Sequence, residues 1–174
     1  MELELLQRQN KMLSYLSSLP RRMLLLHGTE NVTEFVLHDL CQCFNFNKAA
    51  YFVDNPDFNC TKGVAGFSTE EPFASETIWA DPVSFSTHMK QSQFNQRVRG
   101  LTRCSVKKDG DSNHAQLAEL LAKDLGFNNY AFCSWAMRHE NEGFVLYEKA
   151  SIYDSFADEH LLDGLSLLSF CPIF

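Results

Sequence analysis

Residues 135–170 read WAMRHENEGFVLYEKASIYDSFADEHLLDGLSLLSF, and two kinds of periodicity follow each other within that stretch. Apolar residues run up to Met137, charged or polar residues and Gly occupy 138–143, and the apolar run resumes at Phe144. A short polar break between two apolar runs is the pattern of a hairpin, so strands are expected over 128–138 and 143–150. Beyond them the spacing changes from two to three and four. Leu161, Leu162, Leu165 and Leu168 repeat as one inward helix face, which Ser155 and Asp158 open in the manner of a cap. A chain that closes on a hairpin and a helix is expected to build an antiparallel sheet with helices packed on it.

Outward from this stretch the same elements recur. Leu117, Leu120, Leu121 and Leu125 share a face of a helix expected over 114–125, and Gly126 stands where a left-handed cap would follow. KKDGDSN is a turn, preceded by a short strand over 101–106. Phe85, Met89 and Phe94 carry helical spacing over 84–98, while 68–82 is loop-like, with two prolines and several acidic residues. KAAYFV at 48–53 and residues 60–67 read as hairpin partners across DNPDFN. Gly63 and Gly66 within the second strand point to a bulge or a close backbone approach. Asn31 and Glu34 have capping-box spacing. They open a helix whose apolar face is Val32, Phe35, Val36, Leu40 and Cys43, ended by Asn45 and Asn47.

The first 30 residues form an N-terminal helical extension. Leu5, Met12, Leu16 and Leu19 lie on a heptad-like seam that continues at Met23 and Leu26, and Pro20 is expected to end or kink the first helix. The seam serves either as a helix on the domain's own sheet or as a homodimer contact. Residues 31–174 form the remaining domain.

Composition narrows the function classes. The chain has 174 residues, 45 % of them hydrophobic, with 15 Phe, enough for one domain with a substantial core. Its net charge of −7 gives no general attraction for nucleic acid or anionic lipid. The densest basic stretch, Arg97 to Lys108, runs at once into Asp109 and Asp111 and reads as a solvated face. No apolar run approaches a membrane span and MELELLQRQN lacks a signal-peptide profile, so a cytoplasmic protein is expected. In that reducing compartment the six cysteines are expected to be free thiols.

The stretches LAKDLGFNNYAFCSW, EGFVLYEK and SFADEHLLDGLSLL resemble the C-terminal half of a GAF domain, with Gly143, Phe144, Phe156 and Leu161 at its landmarks. VTEFVLHDLCQCFNFNKAAYFV resembles the helix and strand that open the same fold, so the likeness spans residues 31–168. The LuxR-type autoinducer-binding domains are similar in architecture, and Ile78-Trp79-Ala80-Asp81-Pro82-Val83 has the look of their Asp-Pro-Val step. There the Asp accepts from the amide of an acyl-homoserine lactone. These resemblances imply an α+β fold of GAF/PAS-like kind, a central antiparallel sheet sandwiched by helices. They also imply a role in signal transduction, transcription regulation or quorum sensing. No helix-turn-helix follows in this sequence, so direct nucleic-acid contact is not expected.

Trp79 and Asp81 would offer an aromatic face and a carboxylate to a small-molecule ligand with one donor group. Asp81 would equally cap a helix starting at Pro82. Tyr51, Phe67, Phe85, Cys133 and Trp135 are candidates to line the same pocket, and each also reads as plain core. The pocket is expected between the sheet and the segment around 68–98. Cys41 and Cys43, two apart on a helix, diverge by about 200° and make a poor start for a zinc site. No Gly-rich phosphate loop, metal motif or cofactor motif occurs, so no cofactor is expected. The expectation is a non-enzymatic small-molecule sensor. A thiol-dependent enzyme on the same fold is the alternative of a different class.

Overall fold

The computed structural model describes residues 2–25, 32–55, 60–71, 90–104, 113–138, 141–149 and 158–171. Along them run α1 (Glu2–Leu25), α2 (Val32–Phe44), β1 (Phe46–Asn55), β2 (Cys60–Ser68) and α3 (Gln93–Arg99). They are followed by β3 (Thr102–Cys104), α4 (Asn113–Leu125), β4 (Ala131–Ala136), β5 (Glu142–Lys149) and α5 (Asp158–Leu165), which runs into a 3-10 turn, Ser166–Phe170. The strands form one five-stranded sheet in the order β3-β2-β1-β5-β4, and every neighbouring pair is antiparallel. The fold is α+β, as expected.

Strand alternation divides the core in two. From β1, Ala49, Tyr51 and Val53 join Val36, Leu37, Leu40 and Phe44 of α2 and Leu161, Leu165 and Leu168 near the C-terminus. Ala50 and Phe52 point the other way, into a cluster with Phe94 and Val98 of α3 and Leu117, Leu121 and Leu125 of α4. Burial on both faces is why AAYFV, residues 49–53, carries an unbroken apolar run rather than an alternating one. Each fully buried Leu or Phe in these layers is worth about 1.5–3 kcal/mol.

Several helix ends follow the expected chemistry. Gly126 has φ 73°, and Asn45, just past α2, has φ 58°. Phe127 N donates to Ala122 O at 2.9 Å, closing the left-handed cap of α4. Two leucines depart from their expected faces: Leu120 and Leu162 are 37 % and 39 % exposed. The inward ridge of α4 is completed by Ala118 and Ala122, which pack between Leu117, Leu121 and Leu125. At 100° per residue that ridge leaves no room for Leu120.

Helix α1 runs through Pro20 as one helix rather than stopping there, and it packs against α2. Proline therefore removes one backbone hydrogen bond without ending the element. The side chains of the seam residues lie outside the described residues. Asn31, Phe85, residues 84–89 and Ser155 lie outside them as well. The carboxylate of Glu34 is engaged by Asn95 and Arg99.

The thiol expectation needs correction. Cys60 is disulfide-bonded, whereas Cys41, Cys43, Cys133 and Cys171 are in no disulfide. The β2–β3 register places Cys104 opposite Cys60, a pairing between distant residues that spacing alone does not reveal. Among the described residues, no helix is long and apolar enough to cross a membrane.

Candidate ligand-binding groove

The groove begins with an edge-strand problem. Among the described residues β3 pairs with Cys60, Thr61 and Lys62, so the rest of the β2 edge needs other partners. Helix α3 and the residues after it supply them. Leu101 O accepts from Gly63 N at 2.9 Å, and Asn95 Oδ1 accepts from Gly66 N at 2.8 Å. The approach is close enough to require glycine. A Cβ on Gly63 would sit 1.7 Å from the Val98 carbonyl oxygen, and one on Gly66 would sit 2.7 Å from Val98 Cγ2. Tyr51 pairs with Ala65 but Phe52 with Gly63, so a bulge also falls here. The bulge and the close approach anticipated from these glycines are both present.

Asn95 then ties α3 to the opposite layer. Its Nδ2 donates to Glu34 Oε2 of α2 at 2.9 Å, and Arg99 donates to Glu34 Oε1 at 3.2 Å. Asn95 and Glu34 are 1 % and 4 % exposed. Burial raises the Glu34 carboxyl above its ordinary value, although Arg99 and the Asn95 bond pull it down. The start of α3 is fixed separately: Ser92 Oγ accepts from Asn95 N at 3.1 Å, and Glu71 Oε1 accepts from Ser92 Oγ at 2.6 Å and from Phe94 N at 3.1 Å.

Between Ser68–Glu71, residues 91–97 and the end of α4 lies a groove of about 450 Å³. Its polar wall comes from Lys48, Glu70, Glu71 and Arg97, and its apolar wall from Phe94 and Leu125. Lys48 is set there by strand geometry. A register shift between Phe46 and Lys48 lets Phe46 join the α2 side of the core while Lys48 points to the α3–α4 side. The Lys48 side chain is only 9 % exposed. Its Nζ lies 5.6 Å from the centre of the Phe94 ring and 5.5 Å from that of Phe127, in reach of cation–π attraction. Gly126 O accepts from it at 3.5 Å, and Glu70 Oε2 stands 3.8 Å away. Arg97 donates to Asp124 O at 2.8 Å, so two cations meet the carbonyl end of α4. Arg103 pairs with the Asp124 carboxylate.

The residues expected to line a pocket fall elsewhere. Tyr51, Phe67, Cys133 and Trp135 all lie on the α2–α5 face of the sheet, opposite the groove. The Tyr51 and Trp135 rings stack at 5.9 Å, Trp135 Nε1 donates to Ser169 Oγ at 2.6 Å, and Phe67 meets the His38 ring edge-on at 4.5 Å. Tyr51 and Phe67 are buried core, and burial moves the Tyr51 hydroxyl well above its usual range. Trp79, Asp81 and Phe85 lie outside the described residues.

Sequence reasoning missed Lys48, Glu70, Glu71, Gln91, Gln93, Arg97 and Leu125 as groove residues. The available signal was Lys48 itself, a cation at the head of an otherwise apolar run. Among the described residues, no group of three or more His, Cys, Asp or Glu could hold a metal ion. Burial raises the Cys41 thiol well above its ordinary value and pushes Cys171 up to about 12, the opposite of thiol activation. No protein-family model, curated protein or solved structure matches this chain.

Proposed function

We propose that the chain is a non-enzymatic, small-molecule-sensing regulatory domain of GAF-like design, acting in signal transduction or transcription control as a cytoplasmic homodimer. The observation that carries this reading is the groove between Ser68–Glu71 and residues 91–97, whose floor helix is latched to α2 through Asn95 and Glu34. A ligand in the groove would hold the two flanking segments together. Any displacement of α3 would pass through the Glu34 carboxylate to α2, and from α2 to α1, which packs on it. A ligand changes such an equilibrium only by its differential affinity for the two arrangements. The antiparallel sheet with helices on both faces supports the GAF-like comparison. The four cysteines outside any disulfide support a reducing compartment, while the Cys60 disulfide weighs against it.

The test is a thermal-shift screen of the whole chain against a metabolite and lactone panel. A bound compound at ~100 times its dissociation constant adds about 2.7 kcal/mol of stability. A panel that leaves the melting curve unmoved throughout contradicts the sensing role.

A further inference from the structure

We infer that the ligand of this groove carries a carboxylate or phosphate group whose oxygens meet Lys48 Nζ, with Arg97 as the second cation. This rests on the sensing reading above and specifies its ligand.

The argument starts from what Lys48 lacks. An ammonium has three N–H donors and no acceptor. The side chain is 91 % buried, taking its 9 % exposure from the whole, yet its nearest hydrogen-bond acceptor among the described residues is Gly126 O at 3.5 Å. That is the long limit of a hydrogen bond, where 2.7–2.9 Å is the usual length of a charge-assisted one. Among the described residues the carboxylate within ion-pair distance is that of Glu70, 3.8 Å away on a side chain 80 % exposed, where solvent screens the pair; Glu148, the cross-strand neighbour of Lys48, accepts from Asn128 N. The second acidic residue, Glu71, already accepts from Ser92 Oγ and Phe94 N through one oxygen. A buried cation with two ring faces and one long bond is under-compensated, and a buried charge is costly until an opposite charge meets it.

The rest of the groove suits such a guest. Arg97 lines the same wall and spends one of its N–H groups on Asp124 O. Phe94 and Leu125 offer apolar surface beside the two cations. An oxyanion bound to Lys48 and Arg97, with a small apolar body against Phe94, fills both requirements. A different role for Lys48 is purely structural, as a cap on the Gly126 carbonyl. That role predicts a loss of stability when the charge is removed, whereas an under-compensated charge predicts a gain.

The experiment uses the full chain with four probes: inorganic phosphate, benzoate, benzamide and benzylamine. Phosphate or benzoate is expected to bind at least about tenfold more tightly than the neutral amide, a difference of roughly 1.4 kcal/mol. Amide shifts in nuclear magnetic resonance should concentrate at Lys48, Ser68, Phe94 and Arg97, a readout that needs no variant. Lys48→Met should abolish the anion preference and raise the melting temperature of the unliganded protein, and Lys48→Arg should retain the preference. Equal binding of benzoate and benzamide, anion shifts located elsewhere, or no anion binding at about 10 mM overturns the inference. So does a lower melting temperature of Lys48→Met. If benzamide or benzylamine binds in the groove while the anions do not, the sensing role stands and the anion assignment falls. If no probe and no member of the broad panel binds, both fall.

Discussion

Asn95 Nδ2 donates to Glu34 Oε2 at 2.9 Å, joining two buried side chains 61 residues apart in sequence. The same amide accepts from Gly66 N, so one side chain closes a strand edge and bridges to the helix on the other face. Replacing it by Ala strands a backbone donor and weakens the compensation of a buried carboxylate. Asn95→Ala should therefore lose about 2 kcal/mol or more in urea unfolding. Asn95→Asp should lose at least as much near neutral pH, since it sets a second carboxylate beside Glu34.

The β2 edge makes a sharper comparison among glycines. Gly63→Ala drives a Cβ into the Val98 carbonyl, which is backbone and cannot swing aside. Overpacking of this kind costs about 1–3 kcal/mol, and a clash with backbone belongs at the upper end. At Gly126 an added Cβ meets nothing within 4 Å, so Gly126→Ala should show only the conformational cost of φ 73°, roughly 1 kcal/mol. Melting curves of the two variants should rank in that order.

His38 sets an acid limit on stability. It is fully buried on α2, and burial lowers its pKa well below 6.5, with a bond involving the Gly66 backbone acting against that. The unfolded chain therefore takes up a proton near pH 6.5 that the folded chain refuses. The stability from His38 is complete above 6.5 and is lost as pH falls from there toward the depressed folded value. Over that window stability should drop by up to ~1.4 kcal/mol per pH unit. Glu34 works in the other direction, because its raised folded pKa makes it a smaller burden as pH falls toward 4.5. His38→Leu should flatten the decline between pH 6.5 and 5.5, measured by denaturant titration. An unchanged slope would show that the imidazole is not the responsible group.

Thiol chemistry separates the sensor from a thiol enzyme. Cys41 and Cys171 should alkylate slowly in the folded protein at neutral pH, since burial raises both. Non-reduced, denatured protein should expose four thiols and reduced protein all six. One cysteine labelling rapidly in the native state would revive the enzyme reading.

Most of the architecture was legible in the sequence. The hairpin around 138–143, the β1–β2 hairpin, the end of α2 at Asn45, the left-handed cap at Gly126 and the order of elements all follow from local periodicity and turn chemistry. Gly63 and Gly66 announced a close contact but not its partner, because Val98 and Leu101 reach them from a separate segment. The groove borders the segment around 68–98 where a pocket was expected, but its lining residues were hidden for the same reason. Lys48, Glu70, Phe94 and Arg97 come together only after a bulge in β1 turns Lys48 toward α3 and α4. Aromatic residues drew attention to Tyr51, Phe67 and Trp135 instead, and large side chains on a sheet covered on both faces are first of all core. The disulfide at Cys60 depended on a strand register that no spacing rule supplies.

The most direct test of the central claim is amide hydrogen exchange of the whole chain with and without the best compound from the thermal-shift panel. The account predicts slowed exchange at Lys48, Ser68–Glu71 and residues 91–98, with a smaller response in α2 near Glu34. Protection confined to the Tyr51–Trp135 face, or none at 68–71 and 91–98 while the compound is bound, would contradict it.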